Sequence, residues 1–112
     1  MRIHIKTTNL ELTPPLAGYI KKKIGGLDRF LKKFEKEREV EIFFEVAKTT
    51  RHHKSGNIFY AEANVEIDGK ILRATEKSED IRMAVDKVRS ILQREIRRLK
   101  ERAIDKNRRN IR

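Results

Sequence analysis

Between Lys48 and Asn57 the chain reads KTTRHHKSGN, and Arg51, His52, His53 and Lys54 are its side chains with chemistry to offer. Adjacent histidines raise metal binding first. In an extended segment, however, His52 and His53 point to opposite sides, and no carboxylate or third histidine is placed to complete a ligand set; His4 belongs to the first strand. No metal or other cofactor is expected. A hairpin needs only Ser55-Gly56-Asn57 to reverse direction. The cations at this tip therefore call for an anionic partner.

The rest of the chain repeats that demand. Lys and Arg number 28 against 17 acids among 112 residues, a net charge of +11. Charge this far from zero opposes compactness and suits a polyanion, nucleic acid before an anionic membrane. Residues 1–38 hold 10 basic and 4 acidic side chains, residues 39–78 hold 6 and 7, and residues 79–112 hold 12 and 6. The excess thus lies outside the central segment. With no cysteine there are no disulfides or thiolate sites, and the hydrophobic core must hold one compact domain together. There is no phosphate-binding glycine loop, nucleophile motif or catalytic carboxylate pair, so neither an enzyme nor a small-molecule substrate is expected. MRIHIKTT lacks the continuous apolar run of a signal peptide and no segment is long enough to span a bilayer, so a soluble, cytoplasmic protein is expected.

The positions of these cations depend on the elements that carry them. Met1, Ile3 and Ile5 alternate with Arg2, His4 and Lys6, the period of a half-buried strand. Thr13 before Pro14 is a helix start, and apolar residues from Leu16 to Phe34 predict one helix over 14–34, interrupted only by Gly25-Gly26. Val40–Ala47 and Phe59–Ile67 alternate as two strands of a hairpin. Asp68-Gly69 is a two-residue turn signal, and KILRATEK after it predicts a fourth strand with Leu72 and Ala74 inward. Ser78 is expected to cap the last helix, whose stripe is Ile81, Ala84, Val85, Val88, Leu92, Ile96 and Leu99. The predicted fold is α+β: a two-layer βαβββα sandwich, its four-stranded sheet covered on one face by two helices, with a helical crossover able to make the first two strands parallel. Residues 1–104 form the domain, and 105–112 a basic, flexible tail.

At about 100° per residue, Arg82, Arg89 and Lys100 fall on one flank of the last helix's stripe and Lys87, Arg94 and Arg98 on the other, with Arg97 nearly opposite the core. A rigid helix presenting such cations suits phosphate oxygens. Lys21 and Lys22 add to the set, while Lys23 lies nearer the core and can snorkel over it. Against this stands the ordinary reading of a solvated face, with Glu79, Asp86, Glu95 and Glu101 as pairing partners. The sheet offers less: Phe43 and Tyr60 lie outward among Glu41, Glu45, Glu62 and Glu66, a cross-strand aromatic pair more than a stacking platform.

Over residues 1–102 the chain resembles the ribosome hibernation-promoting factor and ribosome-associated inhibitor family. The resemblance rests on LTPPL at the first helix, FYAEANVEIDGKILRATEKSED and EDIRMAVDKVRSILQREIRRLK. It implies binding to the small ribosomal subunit, through rRNA and ribosomal proteins, in the channel where messenger and transfer RNA lie. Steric exclusion would then inhibit translation and protect idle ribosomes. Carried over by position, Arg94, Arg97, Arg98 and Lys100 match the family's basic helix positions, and Arg51–Lys54 its RNA-reaching hairpin tip. Arg82 and Ile91 depart from the tyrosine and lysine of many relatives, and KNRRNIR stands where the inhibitor type is acidic. A free monomer is expected. The alternatives are a generic double-stranded RNA module not specific to ribosomes and a protein-partner module using a sheet edge.

Overall fold

The computed structural model describes residues 1–36, 38–49 and 56–110, the last five as backbone alone. The order is β1 (Arg2–Thr8), α1 (Pro14–Gly25), α2 (Asp28–Leu31), a 3-10 turn (Lys32–Phe34), β2 (Glu41–Lys48), β3 (Phe59–Ile67), β4 (Lys70–Ser78) and α3 (Ile81–Asn110). The sheet order is β1-β2-β3-β4, with β1 parallel to β2 and the other pairs antiparallel. A right-twisted strand followed by a helix returns beside itself in parallel, so the α1–α2 segment serves as the crossover. Asp68 and Gly69 both take positive φ, 49° and 78°, as a two-residue turn between tightly paired strands requires.

Every second residue of β2 and β3 is buried: Ile42, Phe44 and Val46 against Ala61, Ala63, Val65 and Ile67. The small alanines let α3 approach the sheet. From α3 come Ala84, Val85, Val88, Leu92, Ile96 and Leu99, and from the first helical segment Ile20, Ile24, Leu27 and Leu31, making one core. Among the described residues no polar or charged side chain lies in it. All the described cations therefore stand on surfaces.

Three local expectations are corrected. The segment expected as one helix is broken after Gly25. There Leu27 N–H bonds to Ile24 O (3.0 Å) and Phe30 N–H to Leu27 O (2.9 Å), both three-residue steps. The Lys23 carbonyl, which an unbroken α-helix would give to Leu27, instead accepts the Arg89 Nε of α3 at 3.0 Å. Gly26 sits under that guanidinium, where an added Cβ would lie 3.3 Å from one of its nitrogens. Secondly, α3 starts two residues later than expected. Ser78 still belongs to β4 and bonds Asp80 N–H, while the Asp80 carboxylate receives the N–H groups of Arg82 (2.9 Å) and Met83 (3.4 Å). Asp80 is the cap, with its charge at the positive end of the helix. Thirdly, Phe43 and Tyr60 are not paired: Phe43 faces Asn64 and Tyr60 faces Ala47. The partner of Phe43 is His4, stacked at 4.7 Å between ring centroids across the parallel pair.

α3 runs on to Asn110, so residues 105–110 prolong the helix. Leu99 is its last core residue and 101–105 are all exposed, so this end of α3 projects beyond the sandwich. No helix among the described residues is long and apolar enough to cross a membrane.

Candidate nucleic-acid interface

Thr13, extended in front of Pro14, accepts the Leu16 N–H and starts α1, so that Ile20 and Ile24 face the core. Lys21 and Lys22 then fall on the outside, both exposed. On α3, burial of Val85, Val88, Leu92 and Ile96 sends the cations to the two expected flanks. Lys87 and Arg94 line an open cleft of about 390 Å³ with Met83, Asp86, Ser90 and Ile91, closed on the sheet side by Glu76 of β4. Neither cation has an ion-pair partner among the described residues. Arg98, on the same flank, is held at 3.2 Å by Glu95 one turn earlier, an exposed pair of small value. Lys100 is half-exposed.

The flank toward α1 is more organised. Tyr19 stands between the helices and donates its hydroxyl to Asp86 at 2.6 Å. That hydrogen bond first, with burial and the carboxylate's charge behind it, raises the phenol above its ordinary value, so it stays a donor. The guanidinium of Arg82 lies over the Tyr19 ring at 4.9 Å and the Lys23 ammonium at 5.7 Å, with Lys23 also 3.7 Å from Asp86. Arg89, expected as an RNA contact, directs its Nε to the Lys23 carbonyl and fastens the end of α1 to α3. Arg97, expected nearly opposite the core, reaches toward α2 and lies 5.3 Å from the Phe30 ring centroid, where Arg29 also sits at 4.7 Å.

The structure thus brings Lys21, Lys22, Arg82, Lys87, Arg89, Arg94, Arg97, Arg98 and Lys100 onto one helical layer. Arg51, His52, His53 and Lys54 lie outside the described residues. Sequence reasoning passed over Arg29 and discounted Lys23; the available signal was an aromatic beside each, Phe30 next to Arg29 and Tyr19 one turn before Lys23. Among the described residues no group of three His, Asp or Glu side chains is placed to hold a metal.

The other face of the sheet contrasts with this layer. Glu45 of β2 lies directly opposite Glu62 of β3. Thr8 donates to Glu45 at 2.7 Å, and Arg73 and Tyr60 donate to Glu62 at about 3 Å. Glu41 meets His4 at 3.0 Å. Phe43, 53% exposed, stands among these acids.

The βαβββα sandwich carries a cation-rich helical layer, and the chain belongs to a known family: residues 3–104 match the family described as sigma 54 modulation protein / S30EA ribosomal protein. Among curated relatives it is 29% identical over 94 residues to the ribosome hibernation promotion factor of Deinococcus radiodurans, covering 84% of this chain and 46% of that one. It is 28% identical to the factor of the same name from Staphylococcus aureus, over 96% of this chain and 53% of that one. The chain therefore spans about half the length of these relatives. A ribosome hibernation promoting factor from Klebsiella oxytoca, 26% identical, is matched over 95% of its length and 90% of this chain. In structure, the N-terminal domain of Thermus thermophilus Protein Y superposes with a TM-score of 0.70 at 23% identity, over 88% of this chain and 99% of that one. That likeness establishes the shared fold.

Proposed function

We propose that this chain is a ribosome hibernation factor that binds the small ribosomal subunit through its helical layer, in the channel used by messenger and transfer RNA. The observation that carries the proposal is the cation layer itself: Lys21, Lys22, Lys87, Arg94 and Arg97 project from helices fixed on the core and lack carboxylate partners among the described residues. Family membership supplies the ribosome. Phosphate oxygens of folded RNA match such a layer by geometry and charge, without base-edge readout. The mechanism needs no bond-making: a rigid body occupying the channel excludes other occupants, silencing and protecting the idle ribosome. Residues 1–104 are the ribosome-binding unit in this reading, 105–112 an appended basic segment, and the cytoplasm the place of action.

Co-sedimentation with purified small subunits tests the reading, with and without messenger and initiator transfer RNA bound beforehand. Binding that these ligands abolish is the expected result. Binding indifferent to them would move the site out of the channel, and equal affinity for free RNA duplexes would replace the ribosome with a generic RNA partner.

A further inference from the structure

Resting on that reading, we propose that Arg29 and Arg97 form a two-guanidinium clamp for an RNA backbone phosphate, with Phe30 as its positioning residue. The two arginines come from different helices, α2 and α3, and share one ring, with guanidinium carbons 4.7 and 5.3 Å from the centroid. These distances keep the two cations within about 10 Å of each other, despite the repulsion between like charges. Phe30 is half-buried and packed on the core, so its ring is a fixed platform.

The Tyr19 cluster shows what a structural version of this arrangement looks like. There too one aromatic carries two cations from two helices, but Asp86 stands among them, bonded to the tyrosine hydroxyl and 3.7 Å from Lys23. Asp86 offsets one positive charge and ties α1 to α3. At Phe30 no such acid is in place: neither Arg29 nor Arg97 has an ion-pair partner or a side-chain hydrogen bond among the described residues. The neighbouring Asp28 lies instead 3.9 Å from the Met1 amine. Phenylalanine also offers no hydroxyl to recruit a carboxylate.

The chemistry follows from the guanidinium. Its N–H donors lie in its own plane, so a guanidinium resting over a ring keeps them free for an anion. Two such forks match the several oxygens of a phosphodiester. Pinning both against Phe30 reduces the side-chain freedom lost on binding, which is why a ring that never touches the RNA affects affinity. Exposed Lys32 and Lys33, on the turn just beyond, continue the positive surface along which an RNA backbone can run.

The test uses the full chain and two probes, purified small ribosomal subunits and a short A-form RNA duplex, titrated over a range of salt. Arg29→Ala and Arg97→Ala should each lower affinity several-fold and reduce the slope of log affinity against log salt by about one. Phe30→Leu keeps apolar bulk against the core and both cations. It should lower affinity about threefold with the salt slope nearly unchanged, and Phe30→Tyr should restore it. Wild-type affinity and slope in both arginine variants would overturn the clamp. So would a Phe30→Leu loss that follows melting temperature alone and is not rescued by tyrosine. If wild type binds the duplex but not the subunits, the ribosome reading fails, while the same variants on the duplex still decide the clamp. Binding to neither probe overturns both.

Discussion

On the helical layer Lys87, Arg94 and Arg97 stand with no carboxylate in ion-pair reach among the described residues, while on the open face of the same sheet Glu45 confronts Glu62. Both regions keep like charges close together, at a cost to stability. They differ in how the cost is met. The open face relieves it internally, through Thr8, Arg73, Tyr60 and His4. The outer helix surface leaves it largely unrelieved, as a surface does whose counter-charge arrives with a partner. On the proposed reading, a protein of net charge +11 would turn its helical layer toward RNA, since on the open face Arg2, Lys6, Arg73 and Lys77 balance Glu41, Glu45, Glu62 and Glu66.

The largest effect expected is one that destroys both faces together. Val88 is fully buried where α3 crosses the sheet. Val88→Asp would place a carboxylate among aliphatic side chains, and should cost about 4 kcal/mol or more. Circular dichroism and thermal melting should show loss of the fold; an unchanged melt would contradict the packing of α3.

Next comes the test that separates the faces. Arg94→Glu with Arg98→Glu should weaken binding to small subunits by roughly 10- to 100-fold, about 1.4–2.7 kcal/mol. The fold should survive, since both side chains are exposed and the Arg98–Glu95 pair contributes little. Glu66→Lys, on the open face, makes a charge change of the same size per residue. It should leave that affinity within about twofold. Equal responses in a binding assay would erase the distinction between the faces.

A smaller effect is expected at the joint between the layers. The Met1 amine lies 2.9 Å from Glu35 and 3.4 Å from Glu39, and Glu35 also accepts the Val40 N–H at 3.0 Å. Burial pushes the Glu35 carboxyl up, but the hydrogen bonds from the ammonium and Val40 outweigh it together, leaving it below its ordinary 4.5. The hydrogen bond to Glu35 raises the amine above its ordinary 8.0, against burial. The carboxylate's contribution is present above about pH 4.5 and lost as pH falls through its lowered value. The amine's is present below about pH 8 and lost as pH rises through its raised value. Glu35→Gln should therefore cost about 1 kcal/mol at neutral pH and flatten the acid limb of a melting-temperature profile. A parallel profile would remove this pair from the stability of the joint.

How much of this was legible in the sequence depended on the range of the interaction. Strand alternation and the α3 stripe are set by whether neighbouring side chains face the core, so Val65 and Leu92 could be placed from spacing alone. The break after Gly25 was hidden because Leu27, Leu31 and Phe34 keep turning toward the same core beyond it. The carbonyl left free at the break is taken by Arg89, 66 positions away. The cation set was legible as a count on a helical wheel, but its organisation was not. Arg97 meeting Arg29 on Phe30, and Asp86 bonding Tyr19, both depend on how α3 lies against α1 and α2. Similarly, Phe43 could be seen as outward-facing, yet its stacking partner His4 followed from the parallel register.

The smallest effect concerns the open face alone. Glu45 and Glu62 are opposed on the two central strands, where neighbours on both sides keep the side chains from swinging far apart. Glu45→Gln removes one charge while keeping an oxygen that can accept the Thr8 hydroxyl. The repulsion is lost along with the attraction to Lys6, which lies opposite on β1, and because Arg73 already offsets Glu62, stability should rise by no more than about 0.5 kcal/mol. Glu62→Gln should behave differently, since it also weakens the Arg73 and Tyr60 contacts, and should be neutral or slightly destabilising. Urea denaturation of the two variants resolves the sign of that difference. If Glu45→Gln destabilised as much as Glu62→Gln, the Thr8 hydrogen bond to a charged acceptor would outweigh the repulsion across the pair, and the open face would be held together by its acids.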